Sequence, residues 1–331
     1  MMPCVVVDNL WKIYRKEARG SGLKDAFRSL FRPKYVEIQA VKGISFSIEQ
    51  GEMVGFVGPN GAGKTTTMKL ISGVIHPTSG TINVLGHVPT RREPEFLNQI
   101  AFFMGQKGFL SIVIWDLPPV DGFELICRIY GIPTVECRRR QEFFAELLDI
   151  GGLIGTPLRK LSLGERTKVE LAAALIHFPR LVILDEPTIG LDIMAQARLR
   201  DFLKEYNRAT GATIILTSHY MRDVEDLAQR LIIIHQGKIL FDGPQADVRD
   251  RMSGTKTIRV RLDPTRPRPE LRSYGKIVES DDDTLAIEVS KEQVRDVAKA
   301  ILDFDAVIDI SIEDPPLEDV LRAVFAGEVS Q

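Results

Sequence analysis

The sequence predicts an α/β fold with a mainly parallel sheet, followed by a small α+β domain. Short apolar strands alternate with helical patterns through the first 254 residues, whereas strands and helices follow another order from residue 255 onward. Alternating strands and helices are typical of a parallel sheet that is covered on both faces. We therefore expect a first domain at 1–254 and a second at 255–331.

The first domain is predicted from short apolar runs and from residues with helical spacing. Its strands are expected at 5–7, 44–48, 53–57, 181–184 and 213–217, and its helices at 64–72, 142–148, 166–176 and 194–207. A hairpin over 231–241 turns at Gln236-Gly237, and Asp242-Gly243-Pro244 then stops the pattern.

The second domain shows strand patterns at 257–262, 276–289 and 306–312, with a break at 281–283. Helices are expected at 291–304 and 317–325. This order predicts a small α+β domain. Neither domain shows an internal repeat or a long heptad pattern.

The composition is that of an ordinary globular protein, with 44% hydrophobic residues, 27% charged residues and a net charge of -2. This balance gives no indication of a nucleic-acid partner, and none is expected. The longest apolar runs fall short of the ~20 residues needed to cross a bilayer, and the start lacks the features of a secretory signal. Three cysteines without metal-ligand spacing, Cys4, Cys127 and Cys137, are interpreted as reduced structural thiols.

A glycine-rich loop between the strand at 53–57 and the helix at 64–72 fits the pattern G-x-x-x-x-G-K-S/T. Such a loop closes its backbone N–H groups around phosphate oxygens, while Lys64 neutralises the charge on the β- and γ-phosphates and Thr65 reaches Mg²⁺. The loop therefore predicts a site for a nucleoside triphosphate and Mg²⁺. The expected nucleotide-binding residues of the loop are Gly58, Pro59, Asn60, Gly61, Ala62, Gly63, Lys64, Thr65 and Thr66.

Two acids follow the apolar strand at 181–184, which resembles a Walker B motif. The carboxyl edge of a parallel sheet is where such folds bind ligands. We expect Asp185 to hold Mg²⁺ and Glu186 to polarise the water that attacks the γ-phosphate.

Between these motifs, Leu161-Ser162-Leu163-Gly164-Glu165 resembles the L-S-G-G-Q signature of the ATP-binding-cassette family. Other residues match further elements of the family, in the order in which the family has them along the chain. The resemblance covers residues 1 to about 245. The matching residues are Tyr14 for the aromatic that stacks on adenine, Gln106 for the Q-loop, Asp192 in Gly190-Leu191-Asp192 for the D-loop, and His219 for the switch histidine. The resemblance implies a P-loop NTPase cassette, in which a RecA-like core carries an antiparallel β subdomain and a helical subdomain.

The resemblance also implies a head-to-tail dimer of two cassettes, most simply a homodimer. Ser162 and Gly164 of one cassette would meet the γ-phosphate bound by the phosphate loop of the other. His219 would contact the same phosphate in its own chain, and Gln106 would sense Mg²⁺ or the attacking water. The implied catalytic residues are therefore Glu186, His219, Gln106 and Lys64, and the metal ligands Thr65, Gln106 and Asp185.

The signature departs from the family pattern at two positions, Leu163 and Glu165. If the third position required a positive φ, a leucine would be strained there. Closure of the dimer and turnover could then be affected. The form Leu-Ser-Leu-Gly-Glu-Arg also resembles one branch of exporter-type cassettes, in which this change is a subfamily trait.

Two segments stand apart from the nucleotide motifs. The inserted segment 15–37 contains a basic amphipathic helix pattern, which either lies at the membrane surface or packs on its own cassette. The unusually apolar stretch 110–123 corresponds by resemblance to the groove that receives a membrane subunit, although a core of the helical subdomain is the alternative.

The function predicted from these motifs is that of the ATP-hydrolysing subunit of a transporter, in the direction of export, with separate permease chains. Such a subunit lies at the cytoplasmic face of the cell membrane. The alternative is a cassette ATPase that acts on DNA or ribosomes, although the coiled coil or the second cassette typical of those proteins is not seen.

Overall fold

A computed structural model describes residues 3–17, 35–105, 108–218, 220–252, 254–281 and 283–326 of the chain. It contains two compact units, Met1–Asp242 and Gly243–Gln331, and each is described by itself. Gln106, His219 and nearly all of the predicted amphipathic helix lie outside the described residues.

The first unit alternates strands with helices, as the sequence predicts. Its strands are β1 (Pro3–Glu17), β2 (Tyr35–Glu49), β3 (Met53–Val57), β4 (Ser79–Val84), β5 (Ile100–Met104), β6 (Leu181–Asp185), β7 (Thr213–Thr217), β8 (Arg230–His235) and β9 (Lys238–Pro244). Its helices are α1 (Lys64–Ile71), α2 (Pro94–Leu97), α3 (Phe109–Val113), α4 (Pro119–Ile129), α5 (Thr134–Leu147), α6 (Leu163–Leu175), α7 (Ile193–Thr210) and α8 (Met221–Leu227).

A six-stranded sheet with the order β5-β6-β7-β3-β8-β9 forms the centre of this unit. The strands from β5 to β8 pair in parallel. Because side chains alternate along a strand, Val182 and Leu184 of β6 enter one core while Leu181 and Ile183 enter the core on the other face. This arrangement confirms the α/β fold and explains why β6 is apolar at every position before its final acid.

A second, antiparallel sheet with the order β2-β1-β4 accompanies the central one. β1 and β2 pair along fifteen residues each, far beyond the predicted strands at 5–7 and 44–48. The added part includes buried residues such as Leu10 and Val41 and ends in an exposed stretch, where Arg15 and Glu37 form an ion pair at 3.1 Å. Short apolar runs mark only the most regular part of each strand, whereas backbone hydrogen bonds extend the pair beyond it.

A disulfide joins two helices of the first unit, where the sequence analysis expected reduced thiols. Cys127 near the end of α4 and Cys137 near the start of α5 are joined by a disulfide, with their Cα atoms 6.0 Å apart. They were expected to be reduced thiols, but the contact between α4 and α5 brings both side chains together in the core. Cys4 is a buried thiol whose pKa is raised by burial.

The second unit has the predicted α+β composition. Its elements are α9 (Gln245–Met252), β10 (Thr255–Leu262), β11 (Lys276–Ser280), β12 (Thr284–Ser290), α10 (Val294–Leu302), β13 (Val307–Glu313) and α11 (Leu317–Ala326). The strands form an antiparallel sheet with the order β11-β12-β10-β13, and alternate residues such as Ile258, Val260 and Ile287 fill a core with α10. The division between the units precedes the expected boundary at 254, because α9 contacts α11.

Among the described residues, no helix has both the length and the hydropathy that a membrane span requires.

Candidate nucleotide site

Three neighbouring parallel strands bring the predicted nucleotide residues together. The phosphate loop follows β3, Asp185 ends β6, and Thr217 ends β7, which lies between those two strands. The carboxyl ends of all three strands therefore meet at one edge of the sheet. The structure thus brings the loop and the two acids of the strand end into one site.

The phosphate loop depends on glycine at two positions where backbone passes very close. A Cβ on Gly58 would lie 2.1 Å from the carbonyl oxygen of Ile234. Gly63 has a φ of 113°, and a Cβ there would lie 2.6 Å from the carbonyl oxygen of Ala40. Any larger residue at either position would displace the loop. These contacts fix the turn that leads into the N-terminus of α1.

Lys64 lies inside the loop rather than in solvent. Its side chain is 6% exposed, and Nζ donates to the carbonyl oxygens of Gly58 at 2.6 Å and Pro59 at 3.2 Å. Burial lowers the pKa of Lys64, while the nearby carboxylates of Glu186 and Asp185 oppose that shift. The ammonium group is therefore held at the centre of the loop, with two acids facing it.

The Asp185 carboxylate accepts hydrogen bonds from two hydroxyl groups on different elements. Thr65 Oγ1 donates to Asp185 Oδ1 at 3.2 Å, and Thr217 Oγ1 donates to the same oxygen at 2.7 Å. The arrangement places the Thr65 hydroxyl and a carboxylate oxygen side by side. Such hard oxygen donors at this separation fit Mg²⁺, which prefers oxygen ligands in octahedral geometry.

Glu186 lies one residue beyond the strand and has an unusual backbone. Its φ is 55°, in the left-handed region that non-glycine residues rarely adopt. The Glu186 amide donates to the carbonyl oxygen and to the hydroxyl oxygen of Thr217, each at 3.1 Å. Thr217 therefore positions both acids, a role that the sequence did not reveal because threonine at a strand end is common.

The signature residues line a second cavity of about 670 Å³. Ser162, Gly164 and Asp192 are among its lining residues, whereas the described lining includes none of residues 58–66. The chain therefore presents the two halves of the predicted site separately: the loop and acids in one place, the signature in another.

The two departures from the family signature are compatible with its local structure. Ser162 caps α6 in a capping box, in which the Ser162 amide donates to Glu165 Oε2 at 2.8 Å and the Glu165 amide donates to Ser162 Oγ at 3.3 Å. The Ser162 hydrogen bonds lower the pKa of Glu165. Leu163 begins α6 with an ordinary negative φ. The strain anticipated for a leucine at this position is not present in this structure.

Asp192 caps a helix, and Tyr14 presents an exposed ring. Asp192 caps α7, and its Oδ1 accepts from the Ala195 amide at 2.8 Å. Tyr14 lies on β1 with 38% of its surface exposed, and Lys12 Nζ is 5.0 Å from its ring centroid. The ring is therefore accessible for stacking, beside a cation.

A buried polar network beside the site was not predicted. The Asp223 carboxylate accepts from Thr188 at 2.6 Å, from Ser218 at 3.1 Å and from Arg200 at 2.7 Å. Thr188 and Ser218 follow the acids of β6 and the end of β7, so the network joins both loops of the site to α7 and α8. Thr188 and Arg200 lie 35 and 23 residues from Asp223 in sequence, so the network forms no local motif.

Comparisons with known proteins agree with this geometry. The ABC transporter family matches residues 41–189, and the family described as the C-terminal domain of EvrA-like ABC transporters matches residues 254–313. The linearmycin resistance ATP-binding protein LnrL of Bacillus subtilis is 36% identical over 226 residues, which cover 66% of this chain and 69% of LnrL. The Nod factor export ATP-binding protein I of Ralstonia nicotianae is 31% identical, covering 69% of this chain and 70% of that protein.

Solved structures show the same cassette fold. The dimeric post-hydrolysis structure of the cassette MJ0796 with ADP and Pi superposes with a TM-score of 0.59 and 22% identity, covering 72% of this chain and 98% of that one. With its phosphate loop, strand-end acids and signature, the chain belongs to the family of ABC transporter ATP-binding proteins, which hydrolyse ATP.

Proposed function

We propose that this protein binds ATP with Mg²⁺ at the phosphate loop and hydrolyses it in a head-to-tail dimer that drives export through separate permease chains. The observation that carries the proposal is the convergence of Thr65, Asp185 and Thr217 opposite Lys64. A loop that only binds phosphate does not require this paired arrangement of hydroxyl and carboxylate oxygens.

The Thr65 hydroxyl and the Asp185 carboxylate would hold Mg²⁺, with Gln106 as the ligand implied by family resemblance. An ion held by these oxygens would supply positive charge that offsets the negative charge of the phosphates. Lys64 already lies within hydrogen-bonding distance of the Gly58 and Pro59 carbonyl groups, so an arriving phosphate would exchange these partners for its own oxygens. The other residues of the loop 58–66, except Pro59, which has no N–H, would supply backbone N–H groups to the phosphates.

Glu186 would polarise the attacking water. Its amide is fixed by Thr217 and its backbone adopts a sparsely populated conformation, so the carboxylate is held at the strand end next to Asp185. A carboxylate placed there can accept the proton of a water that is aligned with the γ-phosphate. His219 and Tyr14 would contact the γ-phosphate and the adenine, in the roles that the family resemblance implies.

The second cassette would complete the site with Ser162, Gly164 and Asp192. Two observations support a partner: the signature cavity contains none of the phosphate-loop residues, and the similar cassette MJ0796 forms a dimer. The capping box bonds the Glu165 amide, while the Leu163 and Gly164 amides lie in the first turn at the positive end of α6, which is suited to a phosphate group. A second copy of this chain is the simplest partner.

The membrane partner would dock on an apolar surface of the helical subdomain, which we call the docking surface. It comprises the exposed side chains of Phe109, Ile112, Val113, Trp115, Leu117, Leu125 and Ile129. So many exposed apolar residues in one region of 21 residues are typical of an interface rather than of scattered surface positions. A permease chain bound here would hold the protein at the cytoplasmic face of the membrane.

Export is the proposed direction because the similar Nod factor protein carries that word in its name and LnrL is named for resistance. The test of the ATPase mechanism is the variant Glu186→Gln. We expect it to bind ATP with unchanged affinity, to hydrolyse at least ~100-fold more slowly and to accumulate as an ATP-bound dimer in size-exclusion chromatography. Hydrolysis at the wild-type rate would remove Glu186 from this role.

A further inference from the structure

A buried carboxylate on the signature helix binds the start of α3. Glu170 lies two turns into α6 with only 4% of its surface exposed. Its Oε2 accepts from the Leu110 amide at 2.9 Å, and its Oε1 accepts from the Ser111 amide at 2.5 Å. Each carboxylate oxygen therefore has one backbone donor from the first turn of another helix.

The need to fill the space beside α3 does not explain why a glutamate occupies position 170. An apolar side chain would fill the position without the free-energy cost of burying a carboxyl group. Burial raises the pKa of Glu170, while the hydrogen bonds from α3 oppose that shift. Gly108 adds a second constraint, because a Cβ there would lie 2.0 Å from Glu170 Oε2. The absence of a side chain at Gly108 thus leaves room for this carboxylate.

The two helices joined in this way carry different parts of the proposed machinery. α3 contains Phe109, Ile112 and Val113 of the docking surface, and α6 begins at the Ser162 cap of the signature. A second contact supports the same connection, since the guanidinium of Arg166 on α6 lies 5.2 Å from the ring centroid of Trp115. α6 therefore holds the docking surface at two points along its own length.

We infer that Glu170 is a positioning residue that couples the docking surface to the signature, so that displacement of one moves the other. The inference rests on the proposed function, because it takes the exposed apolar residues to be the docking surface. Coupling between two sites is carried by packed side chains, hydrogen bonds and rigid secondary elements that lie between them. The paired hydrogen bonds to Leu110 and Ser111 fix α3 to α6 in this way.

The variant Glu170→Gln tests the connection with little change of volume. Its amide group retains one acceptor but places an NH₂ donor against a backbone N–H donor, so one hydrogen bond is lost. Glu170→Met, which removes both acceptors and keeps the apolar bulk, is the second variant. Glu124→Gln is the matched control, since Glu124 is exposed on α4 and pairs only loosely with Arg128 at 4.0 Å.

The measurement uses the full chain with Ile112→Cys labelled by an environment-sensitive fluorophore. Ile112 is 75% exposed, whereas the three native cysteines are buried. We expect saturating ATP to change the fluorescence of the otherwise wild-type chain and of the control. In both Glu170 variants the amplitude should fall at least ~5-fold, kcat should fall ~10-fold, and the ATP Kd should stay within ~2-fold, because the phosphate loop is untouched.

Each other outcome counts against the inference. Full fluorescence amplitude and full kcat in Glu170→Gln, together with faster hydrogen exchange at Leu110 and Ser111, would make the carboxylate a structural cap only. Failure of both variants to fold would assign Glu170 to stability alone. Absence of an ATP response in the wild-type background would also overturn the coupling, but it would leave the ATPase mechanism to the separate Glu186→Gln test.

Discussion

The guanidinium of Arg200 donates to the carboxylate of Asp223 at 2.7 Å, and both side chains are buried. This ion pair joins α7 to α8, and Asp223 also accepts from Thr188 and Ser218. Thr188 follows the acids at the end of β6, and Ser218 follows β7. One buried carboxylate therefore holds together the two loops that flank the proposed catalytic acids.

Replacing Arg200 should be strongly destabilising. Arg200→Met would leave the Asp223 charge buried with two hydroxyl donors but no cation, which costs about 3 kcal/mol in free energy of unfolding. Urea denaturation measures this loss. Arg128→Met is the control, because its pair with Glu124 is exposed and contributes at most about 1 kcal/mol. Equal effects of the two substitutions would contradict the importance of the buried network.

Thr217→Val should separate nucleotide binding from hydrolysis. The variant keeps the volume of the side chain but removes the hydroxyl that donates to Asp185 and accepts from the Glu186 amide. We expect ATP affinity measured without Mg²⁺ to stay within about 2-fold, while kcat falls about 10-fold, because both acids lose a fixed position.

The control for that experiment is Thr81→Val on the exposed part of β4. It makes the same chemical change outside the site and should leave kcat unchanged. A wild-type kcat in Thr217→Val would show that the backbone alone positions Asp185 and Glu186.

Much of the fold could be predicted because its signals are local. The strands at 53–57 and 213–217 are predicted at the bounds that the structure shows, since each is a buried apolar run next to a loop or a helix. β4 and β5 were not predicted. β4 buries only Ile82 and Val84, so its apolar signal is weak, whereas β5 is largely buried and its apolar run was missed. The length of β1 and β2 depends on pairing between strands, which a one-dimensional pattern does not contain.

The parts of the site that could be predicted are those formed by consecutive residues. The phosphate loop and the acids 185–186 are contiguous motifs, and the structure places them at one sheet edge. Thr217, Asp223 and Glu170 were missed as members of the site because their roles depend on contacts over 23 to 60 residues of separation. The disulfide between Cys127 and Cys137 spans only 10 residues, but it was missed because it follows from the packing of α4 on α5, which the sequence pattern does not contain.

His177 should make stability depend on pH. Burial lowers its pKa to about 4, and its partly buried ring stacks on Tyr130 with 4.1 Å between centroids. Nε2 lies 3.0 Å from the Ile100 carbonyl oxygen, while Nδ1 is buried without a hydrogen-bond partner among the described residues. Protonation would therefore add a buried charge and an unpaired N–H group.

The sign of this effect follows from proton uptake. Between pH 6.5 and about pH 4 the unfolded chain binds a proton at His177 that the folded chain does not, so the free energy of unfolding falls as the pH is lowered. The slope from this residue is at most about 1.4 kcal/mol per pH unit. Urea denaturation at pH 7 and pH 5 should show a smaller difference in His177→Gln than in the wild type. The same substitution at the exposed His76 is the control, and an unchanged slope in His177→Gln would contradict the assignment.

Charge on the docking surface should separate partner binding from ATP chemistry. Ile112→Asp places a carboxylate on a side chain that is 75% exposed, so folding and ATP affinity should be unaffected. At a buried interface the same charge would be desolvated without a partner, which lowers affinity by at least about 10-fold. Isolating the tagged chain from its native membrane and measuring the yield of co-purified integral membrane protein tests this expectation.

Val135→Asp provides the matched control, since Val135 is 82% exposed on α5 and lies outside the docking surface. The control should co-purify the membrane protein at the wild-type yield, whereas Ile112→Asp should not. Equal yields from both variants would show that the apolar residues of α3 do not contact the permease. Co-purification of the wild-type chain with ribosomes or DNA, in place of a membrane protein, would contradict transport itself, because the docking surface would then face a different class of partner.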